Sequence, residues 1–175
     1  PPDAARPAPS LIEGRIGITS GVELRTVAGS ATEPGPATYW FRVHVPLVDD
    51  EPLTPLTRAL VAADFGNGIA SVTSIDRHVF INPDLTVHLL RLPEGEWVAN
   101  DAVTWLEPGG AAFADATLAD RSGPFGRATQ SLYVASRSGG GSPPAAVGRP
   151  PPHLGRVPIA THAWPHRAPP TRPPA

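Results

Sequence analysis

Apolar and polar residues alternate along the middle of the chain in a pattern typical of β-strands. Turn sequences such as PEG, EPGG and RSGP separate six segments with strand composition: GVELRTVAG, ATYWFRVHVPL, LTVHLLRL, EWVANDAVTWL, GAAFADATLAD and FGRATQSLYVAS. Several of these segments follow one another at regular spacing, with only short turns between them. The pattern therefore predicts an antiparallel sheet of about six strands.

One segment between the second and third strands has helical spacing instead. Four residues recur at intervals of three and four and would share one helical face: Leu53, Leu56, Leu60 and Asp64. Thr54 is a candidate N-cap, and Pro55 falls at the first helical position, where its missing N–H has no cost. Gly66 and Gly68 follow, and we expect them to end the helix.

A helix with one apolar face packs most economically against the face of an antiparallel sheet. The predicted fold class is therefore α+β, with about six antiparallel strands wrapped around one central helix, the architecture called a hotdog. On the last strand, one side should meet the helix and carries Ala128, Gln130, Leu132 and Val134. Asp64 and Gln130 are thus two polar residues on faces that the pattern predicts to be buried.

A buried carboxylate costs several kcal/mol unless it is paired, hydrogen-bonded or protonated. Asp64 also lies near the end of its helix, where the helix dipole disfavours a negative charge. A carboxylate in such surroundings suits the role of a general base. Two alternatives remain open: Asp64 turns outward into a solvated loop, or Gln130 faces an edge because the strand register differs by one residue.

Asn82 is a third candidate, because its amide precedes Pro83 at the entry of a strand in VFINPDLTVHLLR. The alternative is an ordinary turn-forming Asn. A Ser/His/Asp arrangement can be assembled from Ser71, His88 and Asp84, but the chain has no G-x-S-x-G elbow. It also has no P-loop, no dinucleotide fingerprint and no metal motif, so no metal and no cofactor are predicted.

Composition divides the chain into three parts. Residues 1–19 form a Pro/Ala-rich N-terminal segment, 20–136 hold the predicted hotdog domain, and 137–175 form a Pro/Gly/Arg-rich tail that we expect to be disordered. Five of the 14 Arg lie in this tail, which has no acidic residue. His162 and His166 in THAWPH are a metal-site alternative, but no carboxylate is organised around them.

The formal net charge of -2 gives no electrostatic argument for binding nucleic acid. No apolar run approaches the roughly 20 residues that a membrane span needs, and PPDAARPAPS lacks the apolar core of a signal peptide. The chain has no Cys, which excludes disulfides, thiolate zinc sites and a Cys nucleophile. These features fit a cytoplasmic location.

Three segments occur in an order and at a spacing that resemble the C-terminal hotdog domain of the acyl-CoA thioesterase II-like family: WFRVHVPLVDDEPLTPLTRALVAADFGNGIAS, FINPDLTVHLLRLPEGEWV and GRATQSLYVASR. The resemblance covers roughly residues 20–136. It implies hydrolysis of acyl-CoA to a fatty acid and CoA by water, without a covalent enzyme intermediate. It also implies a site made of an Asp near the end of the helix, a Thr or Asn at the start of the following strand, and a Gln on the last strand. The matching residues are Asp64, Asn82 and Gln130, with Thr86 as a less favoured occupant of the second position.

Members of this family typically hold two hotdogs in one chain, and the N-terminal hotdog is missing from this sequence. We therefore expect the chain to form a homodimer or to pair with another hotdog, unless it is a truncated piece. The first hypothesis is a thioesterase that is active when paired, with Asp64 as the base and Asn82 and Gln130 orienting the water. The second hypothesis is a non-catalytic hotdog that binds acyl groups or serves as an assembly partner.

Overall fold

The computed structural model of the chain describes residues 2–7, 20–74 and 76–137. Apart from Arg137, the tail that the composition predicts to be disordered lies outside the described residues, and so do His162 and His166. Most of the N-terminal segment 1–19 is outside them as well. The fold is therefore described for the hotdog part and for a short piece that precedes it.

The described residues form one antiparallel sheet of eight strands. In chain order the strands are β1 Arg6–Pro7, β2 Val22–Ala28, β3 Ala37–Val43, β4 His78–Ile81, β5 Thr86–Leu89, β6 Trp97–Leu106, β7 Ala111–Asp120 and β8 Gly123–Ser136. Their spatial order is β1-β2-β3-β6-β7-β8-β4, and β5 pairs with β8 further along the same edge. The six predicted strands correspond to β2, β3, β5, β6, β7 and β8. The two additional strands, β1 and β4, contain two and four residues and were not predicted.

Helical structure connects β3 to β4. The helix α1 spans Pro55–Asp64 and is followed after one residue by the short helix α2, Gly66–Ile69. The predicted start is confirmed, because Pro55 is the first helical residue and the Thr54 hydroxyl accepts a hydrogen bond from the Thr57 N–H at 3.0 Å. The predicted stop is wrong, because both glycines lie inside α2 rather than ending the helical path.

The helices pack on one face of the sheet, but α1 does so with a different side from the one that we predicted. Its buried side consists of Val61 and three alanines, Ala59, Ala62 and Ala63, whereas Leu56 and Leu60 are 44% and 40% exposed. The sheet contributes large aromatic side chains to the core, such as Tyr39 and Phe41. Small side chains on the helix leave room for these rings and let the helix lie close to the sheet. Leu56 and Leu60, the Leu stripe of α1, therefore lie on its outer side, whereas Leu53, just before the helix, is partly buried against the core as predicted.

A hydrogen bond from the sheet holds the end of α1 close to the sheet. Asn100, on β6, is fully buried, and its Nδ2 donates to the main-chain oxygen of Ala62 at 2.6 Å. This carbonyl is in the last turn of α1, where it also accepts a hydrogen bond from the Phe65 N–H at 3.3 Å. Asn100 therefore holds the last turn of the helix against the sheet.

The N-terminal residues 2–7 cover part of the opposite sheet face. The strand β1 pairs with β2. A short 3₁₀ helix, Pro2–Ala4, precedes β1, and its first residue, Pro2, is buried. Ala5 packs against a small apolar cluster that includes Trp40 and Trp97. This piece of the Pro/Ala-rich segment thus belongs to the folded sheet.

A buried ion pair joins the turn before β6 to the turn between β7 and β8. The Asp120 carboxylate is completely buried, accepts two hydrogen bonds from the Arg91 guanidinium, and accepts further bonds from the N–H groups of Glu94 and Ser122 at 2.7 and 2.8 Å. Burial raises the pKa of Asp120, but the hydrogen bonds from Arg91 and the two backbone N–H groups outweigh it and hold the pKa below its usual value. The carboxylate therefore organises both turns in its charged form.

We predict that Asp120→Asn lowers the free energy of unfolding at neutral pH by about 3 kcal/mol, because it leaves a partly buried Arg91 without its counter-ion. Since the pKa is lowered in the folded state, this stabilisation is fully present above the usual carboxyl pKa of 3.8 and is lost as the pH falls through the folded-state pKa. Urea denaturation of both proteins between neutral and strongly acidic pH measures the difference.

The control for this prediction is Asp3→Asn, which breaks the exposed ion pair between Asp3 and Arg121. An exposed pair contributes about 0–1 kcal/mol, so this variant should unfold almost like the wild type. Equal destabilisation by the two substitutions, or an Asp120→Asn effect that persists at the lowest pH, would contradict the assignment.

Candidate active site

The side chain of Gln130 links β8 to the junction between α1 and α2. Its Oε1 accepts a hydrogen bond from the Asn67 N–H at 3.1 Å, and its Nε2 donates to the main-chain oxygen of Asp64 at 3.1 Å. Gln130 is only 1% exposed and lies on the helix-facing side of β8, as the strand pattern predicts. Its two backbone partners fix the orientation of the carboxamide, because a reversed amide would face an N–H with its NH₂ and a carbonyl with its oxygen.

The glycine at the start of α2 allows this approach. A Cβ atom on Gly66 would lie 3.1 Å from Gln130 Oε1, closer than ordinary van der Waals contact. Gly66 therefore gives room for the close passage of the Gln130 amide and does not act as a helix stop.

Asp64 is the last residue of α1, and its side chain is exposed. The prediction that Asp64 is buried is wrong for a single copy of the chain. Asp64 lies on the same exposed helix surface as Leu56 and Leu60, and α1 packs against the sheet with its alanine side. The carboxylate nevertheless remains tied to the junction, since Gln130 Nε2 lies 3.5 Å from Asp64 Oδ1. The structure thus brings two of the three predicted site residues together, with the carboxylate open to solvent.

Asn82 lies in the segment between β4 and β5 and is exposed. Ile81 pairs with Tyr133 and Thr86 with Thr129, so the segment that contains Asn82 runs opposite the part of β8 that contains Gln130. Within the described ranges, no hydrogen bond joins Asn82 to Asp64 or to Gln130. The third predicted residue is therefore beside the pair along the sheet edge but not bonded to it.

Pairing separates Thr86 from this site. Thr86 lies directly opposite Thr129, and Thr129 is on the other face of β8 from Gln130. Residues directly opposite each other in an antiparallel pair share a face, so Thr86 also points away from the helices. Asn82 and Thr86 were the two candidates for the second residue of the predicted site. The strand pairing places Thr86 on the wrong face of the sheet, so Asn82 remains the candidate.

Asp84 has a structural partner in the same segment. Its carboxylate accepts a hydrogen bond from the Ser131 N–H at 2.9 Å, and hydrogen bonds from the backbone and the side chain of Ser131 hold the pKa of Asp84 below its usual range. Ser71, in turn, donates to the main-chain oxygen of Thr73 at 2.7 Å. These contacts give no support to a Ser71, His88 and Asp84 arrangement.

Asn67 is a polar residue at the junction that the sequence interpretation did not single out. It follows Asp64 by three residues, is 8% exposed, and its Oδ1 is buried with no hydrogen-bond partner among the described residues. The sequence signal was present in FGNG, but the flanking glycines were interpreted as a helix stop. Asn67 instead occupies the second position of α2, directly against Gln130.

An apolar cavity opens beside α1. It has a volume of about 110 Å³ and is lined by uncharged residues: Ser20, Gly21, Val22, Val43, Val45, Leu47 and Val61. Val61 precedes Asp64 by three residues, so the two are neighbours on the helix surface. Val61 is thus the lining residue that connects the cavity to the helix whose last residue is Asp64.

In the part of the chain that the structure describes, no group of three or more His, Cys, Asp or Glu side chains is placed to hold a metal ion. Across the same residues, the helices are all too short or too polar to cross a membrane.

The sheet wrapped over a helix, with the Asp and Gln at the helix end, defines the chain as a hotdog protein. The family model for the acyl-CoA thioesterase C-terminal domain matches residues 2–134, and the chain belongs to this family. No curated protein sequence matches the chain.

Solved structures support the fold. The acyl-CoA thioesterase II TesB2 from Mycobacterium marinum superimposes with a TM-score of 0.52 at 21% identity, over 76% of this chain and 57% of that chain. A structure described as a putative thioesterase from Novosphingobium aromaticivorans DSM 12444 matches with a TM-score of 0.51 at 22% identity, over 75% of this chain and 51% of that chain. The matched region is thus about half the length of these proteins.

We predict that Gly66→Ala and Gly68→Ala have opposite effects. Neither glycine has a positive φ, so Ala fits both backbones and by itself stabilises by about 0.4–1 kcal/mol. At Gly68 the added Cβ meets only Phe65 at an ordinary 3.8 Å, so that variant should be neutral or more stable. At Gly66 it presses on a Gln130 amide held on both sides, and we expect a net loss of about 1 kcal/mol.

Chemical denaturation of the two variants and the wild type gives the comparison. A Gly66→Ala protein at least as stable as Gly68→Ala would show that the Gln130 amide is free to move, against the geometry described above.

Proposed function

We propose that the chain is an acyl-CoA thioester hydrolase that uses Asp64 to activate water. The proposal rests on the contact between Asp64 and Gln130. This contact joins the solvent-exposed carboxylate of Asp64, at the end of α1, to the buried side-chain amide of Gln130. Membership of the acyl-CoA thioesterase family supports the reaction class. The substrate is an acyl-CoA, and the products are a fatty acid and CoA.

The contacts at the junction support a general-base mechanism. Asp64 accepts a proton from water as the water oxygen attacks the thioester carbonyl carbon. The tetrahedral intermediate then collapses, the C–S bond breaks, and the CoA sulfur leaves as a thiolate that takes up the proton held by Asp64, which restores the carboxylate. Gln130 Nε2, 3.5 Å from Asp64 Oδ1, keeps the carboxylate oriented, and Asn82 holds the water from the neighbouring segment. The reaction needs no metal or redox cofactor.

The apolar cavity beside Val61 supports an acyl substrate. Its lining has no charged residue and includes Val61, three residues before the proposed base on α1. A buried methylene group contributes about 0.8 kcal/mol, so even a short stretch of acyl chain in this cavity adds measurable affinity.

The exposed side of α1 supports a paired assembly. Leu56 and Leu60 lie on the same helix surface as Asp64, and both are more than a third exposed. A second hotdog over this surface would bury the Leu stripe and partly enclose the Asp64 carboxylate, which strengthens its electrostatic interactions. We therefore propose that the folded unit acts as a homodimer or together with another hotdog, in the cytoplasm.

One observation favours the competing function. Asn82 has no hydrogen bond to Asp64 or Gln130 in the residues described, which is compatible with a hotdog that binds acyl groups without hydrolysing them. The two functions differ in the expected effect of removing the base.

Asp64→Asn should reduce kcat for acyl-CoA hydrolysis by about 10²–10⁴-fold, because the amide cannot accept the proton from water. Its melting temperature should stay close to that of the wild type, since the Asp64 side chain is exposed. Release of free CoA thiol from a series of acyl-CoA substrates measures the rate. Glu107→Gln, which changes an exposed carboxylate in the turn between β6 and β7, is the control and should retain full activity.

An Asp64→Asn protein that hydrolyses every tested acyl-CoA at the wild-type rate would overturn the mechanism. A wild type that binds acyl-CoA but hydrolyses none would instead favour the non-catalytic function.

The paired assembly predicts that Leu60→Glu weakens association more than tenfold, because it places a charge in the centre of the proposed interface. Sedimentation velocity over a range of micromolar concentrations gives the mass. Leu90→Glu changes a leucine that is 90% exposed outside α1 and should leave the mass unchanged. If both variants sediment as the wild type does, α1 is not the interface.

A further inference from the structure

We propose that residues 149–152, RPPP in the sequence, dock on an aromatic patch of their own chain. The aromatic patch consists of Trp105, Phe113 and Tyr133, and it lies on the outer sheet face, which is the face opposite the helices. The four docking residues belong to the part of the chain outside the described ranges. This inference does not depend on the proposed hydrolase function, because the patch and the candidate active site are on opposite faces of the sheet.

The aromatic patch crosses three neighbouring strands. Trp105 on β6 pairs with Phe113 on β7, and their rings stack with centroids 6.1 Å apart. Phe113 pairs with Ser131, so Tyr133, two residues further along β8, is its diagonal neighbour on the same face. Phe113 is 42% exposed and Tyr133 is 54% exposed. Single exposed apolar residues are normal, whereas adjacent exposed aromatic rings indicate a contact surface.

The other end of the outer sheet face is already covered by another segment of the chain. Trp97 and Trp105 are both at odd-numbered positions of β6 and therefore lie on the same face. Trp97 belongs to the small cluster on which Ala5 packs, and it is only 8% exposed. Within the described ranges, Phe113 has no comparable cover. The aromatic patch is thus the open half of a face whose other half is closed.

The sequence RPPP has the chemistry that such a surface binds. A run of prolines favours the extended polyproline conformation, which has no internal hydrogen bonds and loses little conformational entropy on binding. Proline-rich segments dock in grooves lined by aromatic side chains. Residues 150–152 are the longest run of prolines in the chain. We therefore infer that these prolines stack on the rings of Phe113 and Tyr133.

Two exposed carboxylates lie beside the aromatic patch. The Glu107 N–H donates to the oxygen of Ala111, and Ala111 pairs with Tyr133. Asp84 accepts a hydrogen bond from the N–H of Ser131, on the other side of the patch. Among the described residues, neither carboxylate forms an ion pair. The surroundings of the patch are therefore acidic.

The charge of the tail is complementary to these carboxylates. Residues 137–175 contain five Arg and no acidic residue. Arg149 directly precedes the three prolines, so it reaches Glu107 when the prolines lie on the rings. An exposed ion pair contributes only about 0–1 kcal/mol, so the charge orients the segment and the aromatic contacts hold it.

The segment RPPP is also tethered at the right distance. The tail begins where β8 ends, and Tyr133 is near this end. The distance along β8 from Arg137 back to Ser131 is about 20 Å, at the usual rise of a strand. Residues 138–148 join Arg137 to the segment, and a Gly-rich linker of this length spans about 17–20 Å on average. A tethered segment has its highest effective concentration when these two lengths match.

A spin label in the full chain tests the docking. The chain has no Cys, so Ala146→Cys gives a single attachment site for a nitroxide just before RPPP. We expect strong paramagnetic relaxation enhancement at the amide of Phe113. The amide of Ala59, on α1 at the other face of the sheet, should show almost none.

Two changes to the labelled chain should release the segment. One replaces the prolines at 150–152 together by Gly, which removes the stacking surface. The other is Tyr133→Thr, which removes the most exposed ring of the patch and keeps a residue that suits a strand. In each variant the enhancement at Phe113 should fall at least about threefold, because only the undocked tether then brings the label near.

Each change has a matched control. Pro169→Gly combined with Pro170→Gly removes another pair of prolines from the tail. Leu90→Thr removes a leucine that is 90% exposed elsewhere on the surface. Both controls should leave the enhancement at Phe113 as it is in the labelled wild type.

Equal enhancement at Phe113 in the labelled wild type and in the proline variant would overturn the inference, because the tether alone then accounts for it. A mixture of spin-labelled protein at natural isotope abundance and unlabelled, isotope-enriched protein separates the two possible sources of the segment. Enhancement in this mixture as strong as within one chain would show docking on a second copy and would overturn the assignment to the same chain. None of these measurements uses acyl-CoA, so a failure of the proposed hydrolase function is detected separately.

Discussion

The hydrogen bonds of the Gln130 amide are the interaction on which the candidate site depends. The amide connects the middle of the longest strand to a break between two helices, with an N–H on one side and a carbonyl on the other. Without it, the end of α1 would be held mainly by Asn100 and by alanine packing. Gly66 is the corresponding constraint on the helix, because any side chain there would meet the amide.

The strand alternation and the cap of α1 were sufficient to predict the fold class and most of the elements. The start of α1 at Pro55, the helix-facing position of Gln130 and six of the strands all follow from local patterns. The strands β1 and β4 were missed: β1 is a two-residue pairing with β2, and β4 lies directly before the segment interpreted as the entry of the next strand.

The helix face was predicted wrongly for a physical reason. Hydrophobicity favours Leu over Ala as a buried residue, so the Leu56 and Leu60 stripe was assigned to the core. Close packing against aromatic residues such as Phe41 favours small side chains instead, and the alanine side is buried. The Leu stripe is then available for a partner, and Asp64 belongs to that exposed surface.

The candidate site was only partly accessible to sequence reasoning. Asp64 and Gln130 were found because a polar residue interrupts an apolar face, and the structure brings them together. Asn67 was missed because its glycine neighbours have the composition of a helix stop, and its position becomes evident only from its burial and its bond to Gln130. Asn82 depends on how a four-residue segment lies along the sheet edge, which local pattern does not determine.

Amide hydrogen exchange at Asn67 tests most directly whether Gln130 holds the junction. In Gln130→Met, a substitution of similar size without hydrogen-bonding groups, we expect the Asn67 N–H to exchange at least tenfold faster than in the wild type, because it loses its acceptor. The His44 N–H, which donates to Gly21 at the end of the β2–β3 hairpin, should exchange at an unchanged rate. Equal Asn67 exchange in the two proteins would contradict the central role of the Gln130 amide.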